Sequence, residues 1–183
     1  MKLHTLVAAA VATLAAASSQ ASLVTNGSFE SGLTGWSCIA SPGGCFAGDQ
    51  GPPAQDGVAY FYGFDNSPPA GVLSQALTTE AGASYTISFY FNTNGSVPPN
   101  ALSLDVGDLT GPLALVEGSW EHFTGTFTAA GASTDLKLLF TTVGGTGTVW
   151  VDNVVVDRIP EPTGVALAAL GLLGLAATRR SRR

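Results

Sequence analysis

The chain has 183 residues and carries 13 acidic side chains against seven lysines and arginines, which gives a formal net charge of −6. In the segment 22–159 only Lys137 and Arg158 are basic, against twelve acidic residues. A surface this acidic excludes nucleic acid as a partner, because nucleic-acid binding needs basic side chains to displace counterions. It is compatible with neutral glycans and with divalent cations.

The first 21 residues predict a signal peptide. Lys2 precedes a short apolar run, LVAAAVATLAAA, and the sequence SSQA follows it. Ser19 and Ala21 supply the small-x-small pattern of a cleavage site, so we expect export and a mature chain that begins at Ser22. Residues 22–159 then form one domain, which is long enough to bury a core of its own.

The two cysteines, Cys38 and Cys45, lie in the stretch CIASPGGC. Export would place them in an oxidising compartment, and the Pro-Gly-Gly sequence can bring them together. The spacing fits neither a zinc site nor a CxxC redox pair. We therefore predict a disulfide that closes a small surface loop.

The middle of the chain alternates apolar and polar residues with a period of two. In SYTISFYFN one face holds Tyr85, Ile87, Phe89 and Phe91, and the segments GVAYFYG, GVLSQAL, ALSLDV, SWEHFTGTFT, DLKLLF and TVWVDNVVV predict further strands. Turns rich in Gly, Pro and Asn separate them. The predicted fold class is all-β, a two-sheet jelly-roll sandwich flanked by the signal-peptide helix and a C-terminal hydrophobic helix.

Residues near both ends of this domain resemble galactose-binding-like jelly-roll domains, including the carbohydrate-binding modules that recognise plant polysaccharides. The matching positions are Asn26, Phe29, Glu30, Trp36, Asp152, Asn153 and Val154. The resemblance implies a first strand and turn in LVTNGSFESGLTGWS, and core positions for Trp36 and Trp120.

It also implies a structural Ca²⁺ that ties the first strand to the last, with Glu30 and Asp152 as ligands and Asp56 as a further candidate. The alternative is that Glu30 accepts backbone hydrogen bonds and Asp152 caps a turn.

The last 24 residues, 160–183, resemble the PEP-CTERM sorting signal that exosortases process in Gram-negative bacteria. The parts are Pro160, Glu161 and Pro162, an apolar run, and then Arg179, Arg180, Arg182 and Arg183. A helix over residues 163–178 would be about 24 Å long, shorter than the ~30 Å hydrocarbon core of a bilayer.

The arginines would stay on the cytoplasmic side. The resemblance therefore implies transient anchoring in the inner membrane, an exosortase-type partner, and delivery to the cell envelope or the exopolysaccharide matrix. A permanent tail anchor is the alternative.

No catalytic constellation is visible in the sequence. His122 is the one histidine beyond the signal peptide, and G-x-S-x-G, Walker and H-E-x-x-H motifs are absent. The acid pairs Asp105 with Asp108 and Glu117 with Glu121 are interpreted as solvated surface residues. We predict a protein that is not an enzyme.

Glycan binding needs exposed aromatic rings, on which the C–H faces of sugars stack. Tyr60 and Tyr62 share one face of their strand, and Tyr90 lies on the polar face of another, so a concave-face site built from these three is predicted. Ordinary sandwich packing is the alternative for each ring. A matrix structural role, a surface adhesin that binds protein and no sugar, and an extracellular glycan hydrolase are the other functional hypotheses.

Overall fold

The computed structural model describes residues 21–65, 70–94, 100–142 and 147–160. Residues 1–20 of the predicted signal peptide lie outside these ranges. So do Glu161, Pro162 and the arginines of the predicted sorting signal. In the described ranges no helix is long and apolar enough to cross a membrane.

Within the described ranges, ten antiparallel strands form two five-stranded sheets. The first sheet has the order β1 (Ser37–Ile39), β4 (Gly71–Thr78), β9 (Ser133–Thr141), β6 (Ala101–Val106) and β7 (Leu109–Pro112). The second has the order β2 (Gly43–Gly48), β3 (Tyr60–Asp65), β10 (Thr148–Arg158), β5 (Ser84–Asn94) and β8 (Glu121–Thr128). The prediction of an all-β, two-sheet jelly roll is confirmed.

The core lies between the sheets and follows the predicted alternation. The β5 residues Tyr85, Ile87, Phe89 and Phe91 are buried on the inner face, and the β6 residues Leu102, Leu104 and Val106 meet them from the other sheet. Each fully buried apolar side chain of this size contributes about 1.5–3 kcal/mol relative to exposure. The outer face of each sheet is left for polar or functional residues.

Strand β10 contains a β-bulge, because the pairing with β5 shifts between Asp152 and Val155. Asn153 sits in the bulge with a φ of 50°, a left-handed conformation that Asn adopts more readily than most residues. The extra residue returns Val154 to the core while Asp152 stays on the outer face.

Of the first strand and turn that the resemblance implied, the turn is present and the strand is absent, since residues 22–36 form bends and turns. Asn26 and Phe29 have φ values of 55° and 58°, which interrupt an extended strand. The segment still runs beside β10, because the Leu23 N–H donates to the Val156 carbonyl and the Val154 N–H donates to the Gly27 carbonyl.

The predicted disulfide between Cys38 and Cys45 is confirmed, with a Cα–Cα distance of 6.2 Å. The structure adds a role that the sequence did not predict. Cys38 lies in β1 and Cys45 in β2, the edge strands of the two sheets. The bond therefore closes the short exposed loop 38–45, as predicted, and at the same time joins the two sheets at one side of the sandwich.

Replacing both cysteines by alanine is expected to lower the free energy of unfolding by about 2–3 kcal/mol, because the cross-link restricts the unfolded chain. Urea denaturation of the double variant and of the unaltered protein measures the difference. Reductant should destabilise the unaltered protein to the same extent and leave the variant unchanged. Equal denaturation midpoints for the two oxidised proteins would contradict this role.

Candidate functional site

Aromatic side chains are concentrated on the outer face of the second sheet. The register aligns Phe46 of β2 with Tyr62 of β3, and Tyr62 with Trp150 of β10. Trp150 is aligned in turn with Asn92 of β5. This face therefore carries a row of rings across three neighbouring strands, and it is the strongest candidate for a binding surface in the described part of the chain.

Three rings at one side of this face form an aromatic patch, defined as Phe46, Tyr62 and Phe64. The Phe46 ring centroid lies 5.2 Å from that of Tyr62 and 6.1 Å from that of Phe64, with interplanar angles of 18° and 22°. Phe46 is 44% exposed. Its ring covers Gly44, since a Cβ added there would lie 2.8 Å from Phe46 Cζ. The Phe46 ring is thus stacked against its neighbours and lies close to the backbone of its own strand, while part of its surface stays exposed.

Phe46 and Phe64 were missed by the sequence reasoning. Strand β2 is short, contains three glycines and is tied to the disulfide, so no alternation marked it as a strand. Phe64 follows Tyr60 and Tyr62 at a spacing of two, and that periodicity could have identified it.

Residues 49–59, named the strap, connect β2 to β3 and cross the same outer face. The indole N–H of Trp150 donates to the Gln50 carbonyl at 3.1 Å, and that of Trp120 donates to the Pro53 carbonyl at 2.9 Å. Gly51, with a φ of 144°, lies against the Trp150 ring, where a Cβ would come within 2.7 Å of Cζ2. The strap therefore covers the middle of the face above β10.

Two carboxylates hold the strap where it returns to β3. The backbone N–H groups of Gln55 and Asp56 donate to Asp152 Oδ2 at 2.7 and 2.9 Å. Those of Val58 and Ala59 both donate to Glu30 Oε1 at 2.7 Å. Charge-assisted hydrogen bonds of this kind are roughly twice as strong as neutral ones.

Asp152 is fully buried and also accepts the N–H of Asn153 on Oδ1 at 2.7 Å. Burial raises the pKa of the Asp152 carboxyl above its usual range, and the three backbone donors oppose that shift by favouring the charged form. A buried carboxylate needs such donors, because an uncompensated charge inside the protein is very unfavourable.

Tyr60 is not part of an exposed site, because its side chain is 0% exposed. Its ring packs edge-on against Trp120 at a centroid distance of 5.8 Å. The hydroxyl has no hydrogen-bond partner among the described residues. Burial, followed by the negative charge of Asp49, raises the pKa of Tyr60. The prediction of Tyr60 as a stacking ring is contradicted by this burial.

Tyr90 lies apart from the aromatic patch. It is aligned with Asp152 on one side and His122 on the other, and its ring is 4.5 Å from the His122 ring. Trp150 and the strap lie between Tyr62 and Tyr90. The structure therefore does not bring the three predicted tyrosines together, and only Tyr62 belongs to the exposed patch.

The two tryptophans expected in the core differ. Trp36 is buried and stacks on Phe29 at 5.2 Å. Trp120 is half-buried and lies outside the hydrophobic core, where it contacts Tyr60 and the strap. Its assignment to the core was wrong because its indole N–H is used to hold the strap.

The residues predicted to bind calcium act as hydrogen-bond acceptors in the structure, which is the alternative that the sequence left open. Glu30 Oε1 and Asp152 Oδ2 each accept two backbone N–H groups of the strap. Within the described ranges no group of three or more His, Cys, Asp or Glu side chains is arranged to hold a metal. Calcium binding by Glu30, Asp56 and Asp152 stays a prediction.

The acid pair Asp105 and Asp108 does not form a facing pair. Asp105 is in an ion pair with Lys137 at 3.9 Å, and Asp108 accepts the Thr128 N–H at 2.6 Å. Each carboxylate therefore has its own partner.

Comparison with solved structures finds the same fold at low sequence identity. A xylan-binding CBM22 domain of Paenibacillus barcinonensis Xyn10C superposes with a TM-score of 0.54 and 16% identity, over 68% of this chain and 86% of that one. A CBM61 module solved with β-1,4-galactotriose gives a TM-score of 0.58 and 14% identity, over 76% and 100%.

The enzymatically active domain of a tailspike protein of bacteriophage CBA120 gives a TM-score of 0.57 and 14% identity, and this chain spans only 21% of it. No family model and no curated protein matches the sequence. The chain thus has the jelly-roll fold that carbohydrate-binding modules share.

Asp152→Asn is expected to destabilise the protein by about 1–3 kcal/mol, because the amide of Asn would meet a backbone donor with an N–H group and leave it unpaired. Urea denaturation reports the stability, and the rate of proteolysis within the strap reports its release. Asp56→Asn is the matched control, since it removes the same charge and keeps the backbone N–H that Asp152 accepts. An equal loss of stability in the two variants would show that the lost negative charge, and not the hydrogen bonds of Asp152, causes the effect.

Proposed function

We propose that this protein binds carbohydrate through the aromatic patch. The observation that carries the proposal is the exposed ring of Phe46, stacked against Tyr62 and Phe64 on the outer face of the sheet beside the strap. Aromatic rings offer a large apolar contact surface to the C–H faces of sugars while losing little conformational freedom.

The structural neighbours also support carbohydrate binding. One is named for xylan binding, one was solved with a galactotriose, and a third is a family 16 carbohydrate-binding module. These neighbours are binding modules and not catalytic domains. Together with the separate engagement of Asp105 and Asp108, this favours a role without catalysis.

We also propose that the protein is exported and then sorted to the cell envelope or the exopolysaccharide matrix by an exosortase-type enzyme. The sequence 160–183 motivates this proposal. The disulfide between Cys38 and Cys45 supports export, because such bonds persist in oxidising compartments. A glycan-binding domain delivered there would meet polysaccharide directly.

Phe46→Ala is expected to weaken glycan binding at least about tenfold, because anchor side chains of this kind contribute 1.4 kcal/mol or more. Binding would be measured on an array of neutral polysaccharides that includes xylan and β-1,4-galactan. Val116→Ala serves as the control, since Val116 is 49% exposed and lies outside the patch. Unchanged binding by the Phe46 variant would remove the patch from the site, and no binding by the unaltered protein would contradict carbohydrate binding.

The protein recovered from native cell surfaces is expected to begin at Ser22 and to lack the apolar segment with its four arginines. Intact-mass spectrometry of the surface and medium fractions measures this. A form that retains Arg183 and fractionates with the inner membrane would contradict processing and would indicate a permanent anchor.

A further inference from the structure

Strand β10 changes its neighbour on one side beyond the β-bulge. Strand β3 pairs with β10 only at residues 149–151. After the bulge that side is occupied by the segment 22–27, which exchanges backbone hydrogen bonds with Val154 and Val156 and runs antiparallel to β10. The first residues of the predicted mature chain therefore complete the second sheet beside the end of β10.

Ser22 is the residue at which the chain reaches this sheet. The Val156 N–H donates to Ser22 Oγ at 3.0 Å, and the Ser22 hydroxyl donates to the Val156 carbonyl at 3.4 Å. Ser22 Oγ also accepts the Val24 N–H at 3.2 Å. Ala21 is exposed. The predicted cleavage site, the bond between Ala21 and Ser22, thus lies where the chain meets the fold.

The residue that follows Val156 carries a buried carboxylate oxygen. Asp157 Oδ1 is inaccessible to solvent and has no hydrogen-bond partner among the described residues. On the β5 side Asp157 is aligned with Thr86, whose hydroxyl donates to the Asp157 main-chain carbonyl at 3.4 Å. On the other side, the antiparallel register that pairs Leu23 with Val156 brings Ser22 beside Asp157. A buried carboxylate oxygen without a donor is unfavourable.

Within the described ranges, the lysine and arginine side chains are engaged away from Asp157. Lys137 lies on the first sheet and forms its ion pairs there. Arg158 is in an ion pair with Glu80 at 2.6 Å. Removal of the signal peptide would create another cation, the α-ammonium of Ser22, which is largely protonated at neutral pH and has three N–H donors.

We propose that cleavage after Ala21 stabilises the fold, because the new α-ammonium of Ser22 pairs with Asp157 Oδ1. The hydrolysis consumes one water and leaves the Ala21 carboxylate and the Ser22 ammonium. In the uncleaved chain the same nitrogen is a neutral amide with a single N–H, so the pair forms only after processing. This inference rests on the proposed export.

The pair would join the two ends of the domain. Pro160, the first residue of the predicted sorting signal, follows Asp157 by three residues. The ion pair between Ser22 and Asp157 would therefore close the sheet at the place where both predicted targeting segments leave the domain.

The test is a double-mutant cycle on the chain 22–183. The chain would be released from an amino-terminal fusion by a protease that leaves no added residue, and then studied with a free or an acetylated Ser22 amine. Urea denaturation measures the folding equilibrium constant. With the free amine, Asp157→Asn is expected to lower this constant at least about tenfold, because the pair is charge-assisted. With the acetylated amine, the substitution should change it less than about twofold, because acetylation removes the charge.

Two controls separate this pair from a general effect of charge. Asp135→Asn removes an exposed acid from the outer face of the first sheet, so its effect should be the same with the free and the acetylated amine. A chain that begins at Ala21 moves the ammonium by one residue, about 3.3 Å along the strand, and should lose the dependence on Asp157.

An equal effect of Asp157→Asn on the free and acetylated chains would overturn the pair. If Asp157→Asn does not fold, the unaltered sequence still tests the proposal, since acetylation of Ser22 alone should lower the folding equilibrium constant about tenfold. Equal stability of those two forms would overturn it.

The mass of the native protein separates this inference from the proposed export. A native chain that begins at Ser22 but shows no dependence on Asp157 would overturn the pair and leave export intact. A native chain that begins at another residue would overturn both the predicted cleavage and the pair.

Discussion

The arrangement of the outer face of the second sheet depends on one buried carboxylate, which needs hydrogen-bond donors. These donors hold the strap against the sheet. Asp152 is fully buried, and its charge is balanced by the backbone N–H groups of Gln55, Asp56 and Asn153. Hydrogen bonds to a charged group contribute about 1.5–3 kcal/mol each, and a missing partner destabilises by a similar amount. The strap therefore cannot leave the sheet without exposing or orphaning this carboxylate.

The β-bulge makes this arrangement possible. Without the extra residue in β10, a regular alternation that keeps Asp152 outside would turn Val154 out of the core. The bulge keeps both Asp152 on the outer face and Val154 inside, and Asn153 supplies the left-handed backbone that it needs. The Asp-Asn-Val sequence thus serves both the backbone geometry of the bulge and the attachment of the strap.

The strap and the disulfide together determine where a ligand can bind. The disulfide holds β2 at the side of the sandwich, so that Phe46 lies next to Tyr62 on an edge that is open to solvent. The strap covers the middle of the same face and separates this edge from Tyr90. The proposed site is therefore displaced to one edge of the sheet.

The longer strands could be predicted from the sequence because the alternation of apolar and polar residues is a local signal, as in β5 with Tyr85, Ile87, Phe89 and Phe91. Strands β1 and β2 could not, since they are short and their pairing depends on distant partners. The first strand implied by resemblance was wrong because Asn26 and Phe29 adopt left-handed backbone conformations, which no periodicity reveals.

The sequence by itself determined the all-β fold class and the disulfide, and it identified Tyr62 as a candidate binding residue. Each of these follows from residue type and short-range spacing. Only the tertiary structure decided that Tyr60 is buried, that Phe46 is exposed beside Tyr62, and that Glu30 and Asp152 hold the strap. Those outcomes depend on the strap, which crosses the sheet. Whether a side chain is exposed depends on which distant segment covers it, and the local sequence does not encode that.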